Sequence, residues 1–235
     1  MKHQKGATLV VVLIILVLIT FLGTIAVRSG ILGLKISTNS QVRSLLLENS
    51  NSALFNVEDP KQIARQLAQD GMFSYFNSVD NSDDELVFCY KSSSTSFFNL
   101  NDASAIQLDG STTKNGISGF CKVGQFSTGR AATQAQVYIK KNKGSSTPLS
   151  GLPIGTSVGQ SNTPVVSQNI SVTVISILPS FAGVTDNQVE GCFKKTSIKK
   201  DASTQTVSEC FDGLGIPYNT QYADYIVGGS PKLQS

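Results

Sequence analysis

The sequence predicts an α+β protein, with a long N-terminal helix, membrane-spanning in its first half, packed on an antiparallel β-sheet head. Three observations carry this. An uncharged apolar run fills residues 7–27. A proline-free stretch with apolar or small residues at helical spacing follows over 28–57. Beyond it, short runs rich in Val, Ile, Tyr and Phe alternate with loops of Ser, Thr, Asn, Gln and Gly, and the chain has no Trp. Such runs read as strands of a β-rich domain with polar loops. The chain thus divides into a leader at 1–6, a membrane helix at 7–27, an amphipathic continuation at 28–57 and a head at 58–235.

No charge interrupts the run from Ala7 to Arg28. Its length matches the ~20 residues that a helix needs to cross the hydrocarbon core. Lys2 and Lys5 precede it, and basic flanks hold that end in the cytoplasm. The rest of the chain then lies outside. A cleaved secretory signal would want a shorter apolar core, with Thr24-Ile25-Ala26 as its cleavage site. An ordinary signal anchor fits the hydrophobicity equally. Neither uses one detail: a glycine, Gly6, stands directly before the apolar run, at the end of the basic leader.

Past Arg28, Ile31, Leu34, Thr38, Val42, Leu45, Leu46, Asn49 and Ala53 recur at helical spacing and form a face suited to a sheet. Gly23, Gly30 and Gly33 weaken the helix by up to ~1 kcal/mol each without ending it.

The basic leader, the terminal glycine and the unbroken apolar run resemble the type IV prepilin signature. The resemblance implies cutting by a prepilin peptidase after Gly6, N-methylation of Ala7, and retention of the helix, first in the inner membrane and then in a filament core. It also implies the pilin plan, in which the second half of the helix is the spine of the head. Major pilins carry a glutamate at the fifth mature residue; here Val11 stands there. PilX minor pilins and GspK pseudopilins share that absence, and the segment Val42-Arg43-Ser44-Leu45-Leu46-Leu47-Glu48-Asn49-Ser50 partly resembles the PilX helix. The resemblance covers about the first quarter of the chain. It implies a minor pilin acting in the initiation of pilus assembly or in the tip complex, with other minor pilins, the major pilin and a tip adhesin as partners. Twitching, adhesion and DNA uptake are the processes it would serve. The alternatives are a GspK-like secretion pseudopilin and a membrane-anchored periplasmic binding or sensory module.

In the head, Asp59 and Pro60 open a short helix running to Gly71, with Gln62 completing a capping box and Ile63, Ala64 and Leu67 docking it. Strands are expected at 86–90, 105–108, 119–123, 135–140, 170–178, 189–194, 206–211 and 222–227. The strongest alternates apolar and small polar residues from Ile170 to Leu178. Residues 143–168 read as a Ser/Gly/Thr/Pro-rich loop.

Without Lys2 and Lys5, the 19 basic residues fall to 17 against 16 acidic ones. A near-neutral domain has no electrostatic basis for nucleic-acid binding. Cys89, Cys121, Cys192 and Cys210 form no Cys-x-x-Cys pair, and the lone His3 precedes the apolar run, so no metal site or cofactor is expected. An even cysteine count outside the cytoplasm suits disulfides. Three pairings are possible, and short loops favour Cys89–Cys121 with Cys192–Cys210. The stretch Asp80-Asn81-Ser82-Asp83-Asp84-Glu85 has hard-cation ligands but no EF-hand pattern and reads as an acidic hairpin tip. With no base beside any nucleophile, the chain is not expected to be an enzyme.

Overall fold

The computed structural model describes residues 5–94, 98–129, 132–142, 167–179 and 183–228. The leader residues before Lys5, and nearly all of the loop expected at 143–168, lie outside these. Two compact units emerge, Met1–Val42 and Arg43–Ser235.

Helix α1 runs Lys5–Glu58 without a break, so the three helical glycines do not end it. Ile31, Leu34, Thr38 and Leu45 were expected to face a sheet, yet all four are exposed. Within the second unit the expected Leu46, Asn49 and Ala53 are buried, and Ser50 and Val57 complete the packed stripe. Its spacing of three and four residues is that of one helical face.

α1 ends where Asp59 caps α2 (Pro60–Gln66), its carboxylate accepting from the Lys61 N–H at 3.0 Å. α2 stops well short of Gly71, which starts α3 (Met72–Tyr75). Of the expected docking residues, Leu67 packs against the core, but Ile63 and Ala64 are exposed, and Gln66 and Ala68 are buried in their place. Gln66 earns its burial by donating Nε2 to the Val57 carbonyl at 2.9 Å, satisfying an acceptor in the last turn of α1.

Five strands form one antiparallel sheet: β1 (Glu85–Tyr90), β2 (Ala103–Ile106), β3 (Gln134–Lys141), β4 (Ser167–Ile177) and β5 (Tyr218–Gly228). Their order is β2-β1-β3-β4-β5. β2 ends before the expected 105–108 does, because residues 107–111 close a turn in which the Ser111 carbonyl accepts from the Gln107 N–H at 2.8 Å. The alternation of β4 divides its side chains between two cores. Ile170, Val172 and Val174 join Leu86, Phe88, Val137, Ala53 and Val57 on one face. Ile175 and Ile177 join Val87, Tyr138, Phe193 and Phe211 on the other.

Two expected strands are helices. Of the expected 189–194, all but Lys194 fall in α4 (Asp186–Phe193), and of 206–211 all but its N-cap Thr206 fall in α5 (Val207–Gly213). The buried residues Val189, Cys192 and Phe193 follow an i, i+3, i+4 pattern, which suits a helix and not a strand. α5 carries a capping box: Thr206 Oγ1 accepts from the Glu209 N–H at 3.2 Å and Glu209 accepts from the Thr206 N–H at 3.0 Å. The segment expected as a strand at 119–123 pairs with no strand. Its Cys121 N–H donates instead to Gln136 Oε1 at 2.8 Å, beneath the second core.

Candidate functional site

The most distinctive surface belongs to the first unit. Every described side chain from Thr8 to Gln41 is exposed, including an unbroken series of Leu, Val and Ile from Leu9 to Ile19. Exposed apolar surface of that density is unfavourable in water by ~25 cal/mol per Å², and lipid or other apolar helices relieve it. Hydroxyls within the apolar run are bonded along the helix itself. Thr20 and Thr24 donate their hydroxyls to the carbonyls of Val17 and Phe21, at 2.9 and 2.7 Å. Beyond its first turn, each backbone N–H of the helix can bond the carbonyl four residues back, the arrangement a lipid environment requires. By length and composition α1 can cross a membrane, a property that signal sequences share.

Gly6 and Ala7 lie in the first turn of α1, and Val11 lies one turn on, with an exposed side chain. No acid occurs in α1 before Glu48.

The cysteines are placed together in the second unit. Cys89 on β1 bonds Cys121, and Cys192 on α4 bonds Cys210 on α5. By loop entropy each stabilises the head by about 3–4 kcal/mol. Beside the second bridge the rings of Phe193 and Phe211, both fully buried, meet edge to face at 5.1 Å. Gln136 ties the two bridged regions. Its Oε1 holds Cys121, while its Nε2 donates to the Phe193 carbonyl at 2.7 Å and to Tyr138 Oη at 2.6 Å. The stretch between Cys192 and Cys210 is therefore a braced loop.

The acidic stretch 80–85 is not a solvated hairpin tip. Val79–Asn81 is a 3-10 turn, and both final acids are buried. Asp84 accepts from Tyr75 Oη at 2.6 Å and from Lys114 Nζ at 2.7 Å. Glu85 accepts from the Thr196 hydroxyl at 3.0 Å, from the Ser197 N–H at 3.0 Å and from the Ser197 hydroxyl. A carboxylate on the first residue of β1 thus pins the loop that follows α4. Among the described residues, no three His, Cys, Asp or Glu side chains gather in a way that could hold a metal ion.

Burial raises the Glu85 carboxyl above the ordinary glutamate value of 4.5, outweighing the hydrogen bonds from Ser197 and Thr196 and the attraction of Lys140, which lower it. The folded state therefore holds this proton more tightly than the unfolded chain. Stability from that group is present below the ordinary value and is lost as pH climbs through the folded one. Glu85→Gln cannot ionise, so its stability is expected to gain on the wild type as pH rises from about 4 to about 7. Urea denaturation of both proteins across that range checks this, and a constant difference would contradict it.

Comparison with family models, with curated proteins and with solved structures finds no match to the chain.

Proposed function

We propose that the chain is a pilin-like subunit, a minor pilin of the PilX kind that acts in pilus assembly or at the pilus tip and has no enzymatic role. The observation that carries the reading is the position of Gly6. It stands between a basic leader and an exposed helical run with no charge before Arg28, and that same helix goes on to pack against an antiparallel sheet. Other anchors need no glycine at that point. A subunit cut there keeps its helix, with Ala7 as the methylated first residue.

Two physical stages follow. The helix inserts in the inner membrane with its backbone satisfied internally. It then exchanges lipid for the helices of other minor pilins and the major pilin, at little change in apolarity. Val11 sets the position in the assembly. A carboxylate buried there would be costly without a partner amine from a neighbour. A subunit with Val11 avoids that cost and can sit where no neighbour lies beyond it, which is the end of a filament. A tip adhesin is then a natural further partner, and pilus number, twitching, adhesion and DNA uptake are the traits that its loss would alter.

Labelling and shearing test the placement. The wild-type chain is expected in sheared filaments at a few copies each, at their ends. Val11→Glu is expected to insert in the membrane at the wild-type level but to move most of the label into the shaft. A wild-type chain spread along the shaft would overturn the tip placement, and one found only in membranes would overturn the pilin reading.

A further inference from the structure

The charge-free run of α1 ends at Arg28, yet every side chain of the helix remains exposed as far as Gln41. Two turns past Arg28 stands Lys35, and between them come Ile31 and Leu32. Positions i, i+3, i+4 and i+7 share one face of a helix. The four therefore form a single stripe of cation, two apolar side chains and cation, with the charges about 10 Å apart along the axis. The apolar pair is well exposed, Ile31 by 51% and Leu32 by 61%.

The helix itself offers the two cations nothing. The side chains it sets beside Arg28 are Thr24, Ile25, Ile31 and Leu32, and beside Lys35 they are Ile31, Leu32, Thr38 and Asn39. The first 47 residues of the chain contain no Asp or Glu at all. Neither cation forms an ion pair among the described residues. Lipid headgroups meet only part of the need. Arg28 closes a run long enough to cross the hydrocarbon, so it stands at the bilayer surface. The headgroup layer there is roughly 5–8 Å deep, which takes in Arg28 but does not extend to Lys35. A second helix lying along α1 would meet all four side chains at once.

We propose that this stripe docks the helix of a different subunit, one that presents two carboxylates two turns apart with apolar side chains between them. The carboxylates accept from the Arg28 guanidinium and from Lys35 Nζ. Ile31 and Leu32 pack between the two pairs and exclude water, which strengthens both. The proposal rests on the filament reading for the existence of that neighbour, while the chemistry of the stripe stands by itself. A second copy is a poor occupant. In register it sets Arg28 against Arg28 and Lys35 against Lys35, and the only acids of its α1, Glu48 and Glu58, are ten residues apart instead of seven.

The test places p-benzoylphenylalanine at position 39, one turn past Lys35 on the same face, in the full-length chain in cells that make the filament. A second version places it at position 32, between the cations. Irradiation is followed by mass mapping of the linked molecule and by the mass of the mature N-terminus in the same sample. From both positions the expected adduct joins the helix of a different subunit, within one turn of an Asp or Glu. Lys35→Glu is expected to lower the yield from position 39 about tenfold, and Lys35→Gln about threefold, at unchanged chain level in the membrane. Changing the mapped acid to Lys is expected to restore the yield with Lys35→Glu. An adduct only to a second copy or only to lipid overturns the docking proposal. So does one indifferent to Lys35→Glu, one that the reciprocal change fails to restore, or none at either position. With Ala7 as the first residue and the chain in filaments, that failure leaves the pilin reading intact. An adduct to an acidic helix on an unprocessed chain does the reverse, keeping the docking site and removing the filament.

Discussion

Gly6→Val is expected to reach the inner membrane at the wild-type level, to remain at full length, and to disappear from filaments. The position allows little substitution for two reasons. A peptidase that reads the backbone at the edge of the bilayer meets no Cβ at glycine, whereas valine adds a branched one. The uncut leader also keeps Lys2 and Lys5 on the helix. At the membrane surface they are solvated, but in an apolar filament core each would face a desolvation penalty of several kcal/mol. Immunoblots of membrane and sheared-filament fractions read both effects. Filaments that contain the full-length variant would contradict them.

Gly119→Ala is expected to destabilise the head by about 3 kcal/mol, or roughly 6–12 °C in Tm. A Cβ at this position would lie 2.2 Å from the Ser104 nitrogen, 2.2 Å from the Val87 carbonyl oxygen and 2.7 Å from the Ala103 carbonyl carbon. All three are backbone atoms of the paired strands β1 and β2, where Val87 stands opposite Ser104. They can give way only by opening that pair or by lifting the 119–121 segment. Lifting it would break the Gly119 N–H bond to Ser104 Oγ at 2.9 Å and pull on Cys121, which is bridged to β1. Gly191→Ala is the matched control. It lies inside α4 with nothing within 4 Å of the added carbon, and it is expected to hold or gain up to ~1 kcal/mol. Equal melting of Gly119→Ala and the wild type would refute this account of the β1–β2 edge.

Much of the architecture was legible because it rests on local pattern. A charge-free run ended by Arg28 reads as an exposed apolar helix whatever the rest of the chain does. The alternation over Ile170–Leu178 reads as a strand with one buried face, where the structure buries both, and Asp59-Pro60 reads as a helix start. α4 and α5 were misread as strands since Val, Cys and Phe suit either structure in short runs. The deciding information was present as Thr206-x-x-Glu209, a capping box, and as Thr185-x-x-Gln188, where Gln188 accepts from the Thr185 N–H at 3.0 Å. The end of α2 was misplaced because Gly71 reads as a stop, while its role is to start α3.

What stayed hidden depends on distant partners. Glu85 at a strand start reads as solvated, and its burial follows from Thr196 and Ser197, more than a hundred residues away. Gln136 looks like any polar strand residue until the Phe193 carbonyl appears above it.

The most direct test of the central claim is the intact mass and N-terminal sequence of the chain recovered from membranes and from filaments. A first residue of Ala7 carrying one methyl group is the predicted result. A chain that begins at Met1, or one that has lost its helix and begins near Val27, would contradict it.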